Sequence, residues 1–247
     1  MEPMVSVIIP AFNCETTIEQ TLLSVLNQTV SSLEVIIIDD CSSDQTYQIV
    51  KEFSSAENRI RLYQNSRNCG VAKTRNIGCS HAIGKYIAFL DSDDVWEPDK
   101  LEKQLREMEE TGSHICYTSY YTVSPRGRKL YRVPAATDYY SLLKENVIGC
   151  STVMLYAEII KKHKFDSTFF HEDYVLWLTL LRAGYRAVGV EEPLVCYRTG
   201  GRSSNKLTSA RNRWMIYREF LQLPILEAMY YFLQYAIHSH NKYWNRH

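Results

Sequence analysis

Short apolar runs alternate with amphipathic segments through the first 112 residues, and this alternation constrains the fold more than any other feature of the sequence. Residues 5–9 and 35–38 are rich in Val and Ile, which is typical of strands buried on both faces. Residues 15–28 place apolar side chains at helical spacing between these two runs. Strands that alternate with helices predict an α/β fold with a Rossmann-like, mostly parallel central sheet.

The alternation of strands and helices ends at about residue 112, and the rest of the chain divides into two further segments. Residues 113–206 contain a hairpin-like turn at 124–127 and less regular apolar runs, with strands predicted near 186–190 and 194–197. Residues 207–247 form a predicted helical tail, which Pro224 interrupts.

Composition excludes several classes of protein. The 28 Lys and Arg balance 28 Asp and Glu, which argues against a nucleic acid partner bound through bulk charge. The seven Cys have no C-x-x-C spacing, so neither a disulfide framework nor a zinc knuckle is predicted. No basic segment precedes the first apolar run, and no stretch of about 18 uncharged apolar residues occurs. We therefore expect a cytoplasmic protein without a signal peptide or a spanning helix.

Positive charge is concentrated toward the C-terminus. From Arg198 onward, eight Lys and Arg stand against two Glu. Aromatic and aliphatic residues accompany these cations from Trp214 to Ile237. This composition favours peripheral contact with an anionic membrane surface, at the cytoplasmic face. The alternative is that the tail packs on the rest of the chain or forms a homodimer.

The sharpest motif is an acidic run, Asp91-Ser92-Asp93-Asp94, at the end of a predicted strand. Three carboxylates in four residues repel one another unless a cation or solvent relieves them. Oxygen ligands of this kind suit magnesium or manganese, which bind few protein carboxylates together with the phosphates of a substrate. The alternative is a solvated acidic loop that precedes a helix.

Two other segments suit a nucleotide. Asp39 and Asp40 end the second strand, where a carboxylate can accept hydrogen bonds from a ribose or a base, or can face the N-terminus of the next helix. Ser42 and Gln45 form a predicted capping box for that helix. Gly70 opens another predicted helix that carries cations in its first turns. This arrangement suits the binding of a diphosphate, but it is also consistent with an ordinary helix that has no ligand.

Glu172 and Asp173 open a helix in the second half of the chain. Carboxylates at a helix N-terminus commonly interact with the helix dipole. The alternative is that one of them acts as a general base toward an acceptor hydroxyl.

Taken in order along the chain, these and neighbouring motifs resemble those of glycosyltransferase family 2. The matching segments are 5–13, 39–44, 68–78, 90–94, 172–173 and 197–198. The resemblance implies the A-type glycosyltransferase fold and a catalytic domain over residues 1–206, followed by the tail at 207–247. Within the domain, it implies a nucleotide-sugar-binding half at 1–112 and an acceptor half at 113–206.

The resemblance also implies a role for individual residues. Asp93 matches the metal ligand of the D-x-D motif, Asp173 matches the catalytic base, and Glu172 is its supporting neighbour. Contacts with the nucleotide-sugar are implied for Pro10, Ala11, Asn13, Asp40, Gly70, Arg75, Asp91, Ser92 and Arg198. Arg198 with Ser203 and Ser204 approximates a pattern that closes over the diphosphate. The Gln-x-x-Arg-Trp motif of processive members is not matched, so transfer of a single sugar is expected.

The function implied is that of an inverting glycosyltransferase that depends on manganese or magnesium. It moves one sugar from a UDP-sugar to a hydroxyl of a glycan or lipid-diphosphate-linked saccharide in cell-surface polysaccharide synthesis. A sugar-1-phosphate nucleotidyltransferase is an alternative, but residues 10–14 lack the Gly-rich phosphate loop that it requires. A catalytically silent nucleotide-sugar-binding module is another, although such a protein would have lost Asp93 or Asp173.

Overall fold

Ten strands form one mixed sheet in the computed structural model, which describes residues 3–124, 127–198 and 206–244. The strands are β1 (Val5–Ala11), β2 (Leu33–Asp39), β3 (Ile60–Gln64), β4 (Tyr86–Phe89), β5 (Val95–Trp96), β6 (Ile115–Ser124), β7 (Gly127–Tyr131), β8 (Ala136–Thr137), β9 (Met154–Tyr156) and β10 (Ala187–Arg198). The α-helices are α1 (Ile18–Leu26), α2 (Thr46–Ala56), α3 (Val71–His81), α4 (Lys100–Thr111), α5 (Tyr139–Lys144), α6 (Ala157–Lys162), α7 (Glu172–Arg182), α8 (Lys206–Met215) and α9 (Ile225–Trp244).

The predicted mostly parallel α/β sheet is confirmed. The strand order is β3-β2-β1-β4-β9-β6-β10-β5, with β7 paired to β6 and β8 paired to β10. Strands β3, β2, β1 and β4 are parallel neighbours, and β6 is parallel to β10. Because β9 is antiparallel to both β4 and β6, these two strands point the same way. The carboxyl ends of these six strands (β1, β2, β3, β4, β6 and β10) therefore lie along one edge, where ligands of such sheets bind.

Alternating side chains place two apolar clusters on opposite faces of the sheet. Ile8 of β1 packs with Ile36 in one cluster, whereas Val7 and Val35 belong to the other. All seven residues of β2 are buried, which explains why its sequence is apolar at almost every position. Both faces are thus covered, and the rim at the carboxyl ends of the strands is left for polar side chains.

Two local predictions are wrong. The capping box at Ser42 does not form, since α2 begins at Thr46 and the Asp44 carboxylate accepts the Thr46 N–H at 3.0 Å. The Ser42 hydroxyl instead accepts the N–H of Asn13, which joins the loops that follow β1 and β2. The two strands predicted near 186–190 and 194–197 form the single strand β10, whose pairing with β6 is irregular around Pro193.

The tail packs into the hydrophobic core of the second half of the chain. Between α8 and α9 lies a short π-helix (Ile216–Phe220), and its Tyr217 hydroxyl donates to the Leu143 carbonyl at 2.6 Å. The buried Arg213 guanidinium lies 3.6 Å from the ring centroid of Tyr174 and 4.7 Å from that of Tyr235. Among the described residues, no helix has both the length and the apolar character required to cross a membrane.

The Tyr217 contact predicts a measurable contribution of the tail to stability. We expect Tyr217→Phe to lower the free energy of unfolding by about 1–3 kcal/mol, because the buried Leu143 carbonyl loses a donor. Tyr230→Phe is the matched control, since Tyr230 is exposed, and it should change the value by less than about 0.5 kcal/mol. Urea denaturation measures both. Equal stability of the two variants would show that this contact contributes nothing.

Candidate functional site

The loops that follow β1 and β2 form one wall of the candidate site. Pro10 and Ala11 are the last residues of β1, and the Ala11 carbonyl accepts the N–H of Asp40 at 2.7 Å. Asn13 has a left-handed backbone, with φ at 46°, and its side-chain oxygen accepts the N–H of Ser43 at 2.9 Å. The segment after β1 is therefore fixed against the acidic end of β2, as a preformed binding loop requires.

Asp40 holds the loop before α3. Its carboxylate accepts the N–H groups of Cys69 at 2.8 Å and Gly70 at 2.9 Å, and the side-chain amide of Asn65 at 2.7 Å. Gly70 has φ at +82°, a conformation that favours glycine. The N-terminus of α3, where a diphosphate was expected, thus has an anionic partner within the protein. The nucleotide contacts implied for Asp40 and Gly70 stay predictions.

Asp39, beside it, has an unsatisfied oxygen. The residue is fully buried, and its Oδ2 accepts from the Ser42 N–H at 3.2 Å and the Gln64 side chain at 3.0 Å. Among the described residues, nothing donates to its Oδ1. A buried carboxylate oxygen without a donor is energetically unfavourable. The family resemblance implies a nucleotide contact for Asp40, whereas the unsatisfied oxygen belongs to its neighbour Asp39.

Arg75 of α3 joins the two acidic motifs. Its guanidinium is buried and lies 2.5 Å from the Asp91 carboxylate and 2.7 Å from that of Glu172. Burial alone would lower the pKa of Arg75, but the facing Cys150, Asp91 and Glu172 hold it well above its usual value. The nucleotide contact implied for Arg75 stays a prediction, since the described partners of this guanidinium are carboxylates of the protein.

The three carboxylates of the acidic run have different surroundings. Asp91 binds Arg75, whereas the fully buried Asp94 accepts the Ser151 hydroxyl at 2.6 Å and the N–H of Arg198 at 3.0 Å. No other described residue donates a hydrogen bond to the carboxylate of Asp93, which is partly exposed. Burial raises the pKa of Asp93 and repulsion by Asp91 raises it further. Asp93 is the member of the run that is left for a ligand.

Ser151 connects these parts and was not indicated by the sequence. Its hydroxyl accepts the Asp91 N–H at 3.0 Å while donating to Asp94. Its own N–H donates to the Tyr197 hydroxyl at 3.1 Å, and its carbonyl accepts the indole N–H of Trp96 at 2.8 Å. A serine in a short 3₁₀ turn (Cys150–Thr152) has no motif around it, so only the fold reveals this role.

Asp173 stands at the second position of α7, beside the buried Glu172. One of its oxygens accepts the N–H of Tyr174 at 2.8 Å, and the side chain is partly exposed. Burial raises the pKa of Asp173, although Arg75 opposes the shift. A partly exposed carboxylate with a raised pKa has the properties of a general base.

Ser92 belongs to the acidic run, and Arg198 binds the run through its backbone N–H. Arg198 ends β10 with an exposed side chain, and its guanidinium contacts the side-chain oxygen of Gln20 in α1. The Ser92 carbonyl accepts the hydroxyls of Thr17 at 2.9 Å and Thr21 at 3.0 Å, which fixes the acidic loop to α1. Ser203 and Ser204 lie outside the described residues.

A divalent cation fits this donor set in one specific way. Across residues 3–124, 127–198 and 206–244, no group of three or more His, Cys, Asp and Glu could by itself hold a metal ion. Magnesium and manganese commonly use only one or two carboxylates and take the remaining ligands from water and substrate phosphates. The unengaged carboxylate of Asp93 matches that pattern.

Comparison with known proteins identifies the family. The family model described as glycosyl transferase family 2 matches residues 6–169. The chain belongs to glycosyltransferase family 2. This transferase is 39% identical over 240 residues to the putative teichuronic acid biosynthesis glycosyltransferase TuaG of Bacillus subtilis, covering 95% of each chain. It is 36% identical over 242 residues to WfgD of Escherichia coli, named UDP-Glc:alpha-D-GlcNAc-diphosphoundecaprenol beta-1,3-glucosyltransferase, covering 95% of this chain and 92% of that one.

Solved structures share the A-type fold of this glycosyltransferase. S. aureus TarS 1-349 in complex with UDP-GlcNAc superposes with a TM-score of 0.74 at 20% identity, over 98% of this chain and 73% of that chain. The mannosyltransferase PcManGT of Pyrobaculum calidifontis, in complex with GDP-Man and Mn²⁺, gives 0.73 at 19% identity, over 94% and 70%. These likenesses confirm the predicted fold class.

The contacts of Ser151 predict that its hydroxyl stabilises the acidic loop. We expect Ser151→Ala to lower the free energy of unfolding by about 1–3 kcal/mol, since the Asp91 N–H loses its acceptor and the buried Asp94 loses a donor. Ser55→Ala is the control, because Ser55 is exposed on α2, and it should have an effect below about 0.5 kcal/mol. Chemical denaturation of both variants measures the difference. Wild-type stability of Ser151→Ala would contradict the assignment.

Proposed function

We propose that this glycosyltransferase moves one sugar, with inversion, from a UDP-sugar to a hydroxyl of a lipid-diphosphate-linked saccharide during cell-surface polysaccharide synthesis. The observation that carries the proposal is the double ion pair of Arg75. It brings Asp91 of the acidic run and Glu172 of the α7 N-terminus to one buried cation. A donor held at the acidic run and an acceptor hydroxyl near α7 would then meet in one site.

The donor is proposed to lie along the carboxyl ends of β1, β2 and β4. Asp40 is proposed to face the base and ribose, as the family resemblance implies; it lies beside the fully buried Asp39, whose Oδ1 lacks a donor. Pro10, Ala11 and Asn13 border the same loop. Arg198 supports a contact with the diphosphate, because its exposed guanidinium lies at the end of β10 and its N–H is bound to Asp94. The relative TarS is described with UDP-GlcNAc, which agrees with a uridine donor.

Asp93 is proposed to hold a divalent cation, manganese or magnesium. Its carboxylate has no donor from another described residue, and its neighbours Asp91 and Asp94 are already bound to Arg75 and Ser151. When bound, the cation offsets negative charge that develops on the departing diphosphate. The Mn²⁺ described for PcManGT supports a cation of this class.

Asp173 is proposed to be the general base. It takes the proton of the acceptor hydroxyl as the acceptor oxygen forms a bond to C1 of the sugar, while the bond from C1 to the diphosphate oxygen breaks. Attack from the face opposite the diphosphate inverts the anomeric centre, and a single base is sufficient. Glu172 is a positioning residue, because its carboxylate binds Arg75 and thereby fixes the first turn of α7.

The acceptor class is inferred from relatives. WfgD is named as acting on a diphosphoundecaprenol-linked GlcNAc, and TuaG is named for teichuronic acid biosynthesis. Their identities of 36% and 39% extend over almost the whole chain, the acceptor half included. We therefore propose an acceptor with a lipid diphosphate, presented at the cytoplasmic face of the membrane.

The role proposed for Asp93 predicts loss of transfer without loss of folding. We expect Asp93→Ala to lower the rate of UDP release in the presence of acceptor and manganese by roughly 10²–10³-fold or more. Its unfolding transition should be unchanged, because Asp93 receives no hydrogen bond from another described residue. Glu110→Ala, an exposed site on α4, is the control. A fully active Asp93→Ala, or a wild type that EDTA does not inhibit, would contradict the metal assignment.

The role proposed for Asp173 predicts a defect in turnover alone. Asp173→Asn keeps an oxygen for the Tyr174 N–H, so donor affinity should be retained while kcat falls by about 10²–10⁴-fold. Steady-state kinetics and calorimetric titration with the UDP-sugar separate the two quantities. Lost donor affinity with normal kcat would make Asp173 a binding residue.

The pH profile supplies a further check on Asp173. A base must be deprotonated, and burial raises the pKa of Asp173, so wild-type kcat should fall as pH decreases through a value above the usual aspartate range. The residual activity of Asp173→Asn should lack that acid limb.

A further inference from the structure

Helix α9 has two apolar faces, of which the protein covers only one. Ala228 and Tyr231 are buried in the core, on the inner face. On the opposite face, side chains spaced three or four residues apart form an exposed apolar stripe: Leu226, Met229, Tyr230, Leu233 and Ile237. Leu226 is 78% exposed and Leu233 is 59% exposed. The inner face of α9 already packs on the core. An exposed apolar row of this length on the opposite face is typical of a surface that contacts a partner.

A basic cavity lies along the flank of the same helix. It has a volume of about 440 Å³ and is lined by Arg132, Lys144, Glu145 and by His238 of α9, among others. Glu145 is engaged by His238 at 3.1 Å and accepts the Tyr131 hydroxyl at 2.7 Å. Within the described part of the chain, neither Arg132 nor Lys144 forms an ion pair. Arg132 is therefore exposed in the cavity without an ion pair, and Lys144 is half-buried there, with Glu145 and Asp138 nearby.

We propose that the exposed stripe of α9 docks on an anionic lipid bilayer, with lipid phosphates bound at the cavity beside Arg132 and Lys144. Leucine and methionine side chains enter the boundary between headgroups and acyl chains, and an amphipathic Tyr230 suits the same depth. Cations at the flank then meet negative headgroups. The docking is argued from the exposed stripe and the cavity. It rests on the proposed function in one respect, since the acceptor would lie in the same membrane.

Charge decides between a bilayer and a second copy of the chain. Glu227 is the one acid of α9, and the exposed stripe has no charged side chain of its own. A second copy would present the same cations to Arg132 and Lys144, whereas an anionic bilayer offers them the complementary charge. The cavity with its two unpaired cations adds to the preference for a phosphate-bearing surface.

The test uses the full chain and vesicles of phosphatidylcholine with or without phosphatidylglycerol, in the absence of donor and acceptor. Wild type should sediment with the anionic vesicles. Leu226→Ser combined with Leu233→Ser should weaken partitioning by about tenfold or more, because two exposed anchors are lost. Leu23→Ser combined with Ile83→Ser is the matched control at exposed apolar sites on other elements, and it should bind as wild type does.

The charges are tested separately. Arg132→Gln combined with Lys144→Gln should weaken binding to anionic vesicles by about tenfold and remove the dependence on phosphatidylglycerol. The control Lys161→Gln with Lys162→Gln removes two exposed cations of α6 and should have no such effect.

Two results would overturn the proposal. One is a wild type that stays in the supernatant, or vesicle binding that the Leu226 and Leu233 changes leave intact. The other is a dimer in analytical ultracentrifugation that these same changes dissociate, which would assign the stripe to a second copy. Calorimetric titration with the UDP-sugar is run in parallel, so that failure of docking and failure of the transferase assignment give different results.

Discussion

The buried guanidinium of Arg75 is the interaction on which the rest of the site depends. It lies in α3 and binds one carboxylate from the loop after β4 and another from the start of α7. A buried charge that loses one partner is strongly destabilising, by roughly 3–5 kcal/mol. The acidic run and the proposed base are therefore held in one arrangement, although Asp91 and Glu172 lie in different halves of the sequence.

Ser151, an uncharged residue, adds further hydrogen bonds to the network around Arg75. It binds the backbone at Asp91, the carboxylate of Asp94 and the hydroxyl of Tyr197, and thus ties the acidic loop to β10. Once Arg75 and Ser151 have their partners, Asp93 still receives no hydrogen bond from another described residue, and Asp173 accepts the N–H of Tyr174 on one oxygen. A rigid frame that leaves carboxylate oxygens at specific positions available to ligands is what a preorganised site requires.

Much of the fold and part of the site follow from the sequence. Strand-helix alternation predicts the sheet, and residues 35–38 of β2 form an apolar run that ends at Asp39. The choice between Asp39 and Asp40 does not follow, since it depends on which carboxylate the loop at Gly70 reaches. Ser151 is likewise invisible in the sequence, because its partners lie in two distant segments, at 91–96 and at Tyr197. Local patterns predict elements, whereas hydrogen-bond partners depend on how those elements pack.

The network around Arg75 also affects which substitutions the protein can accept during evolution. Residues that share one buried network are energetically coupled, so substitutions at positions 75, 91 and 172 do not have independent effects. Whether a substitution at one of these positions is tolerated depends on the residues at the other two. Diversification of substrate preference is then directed to the loops outside this network, while Arg75, Asp91 and Glu172 vary as a unit.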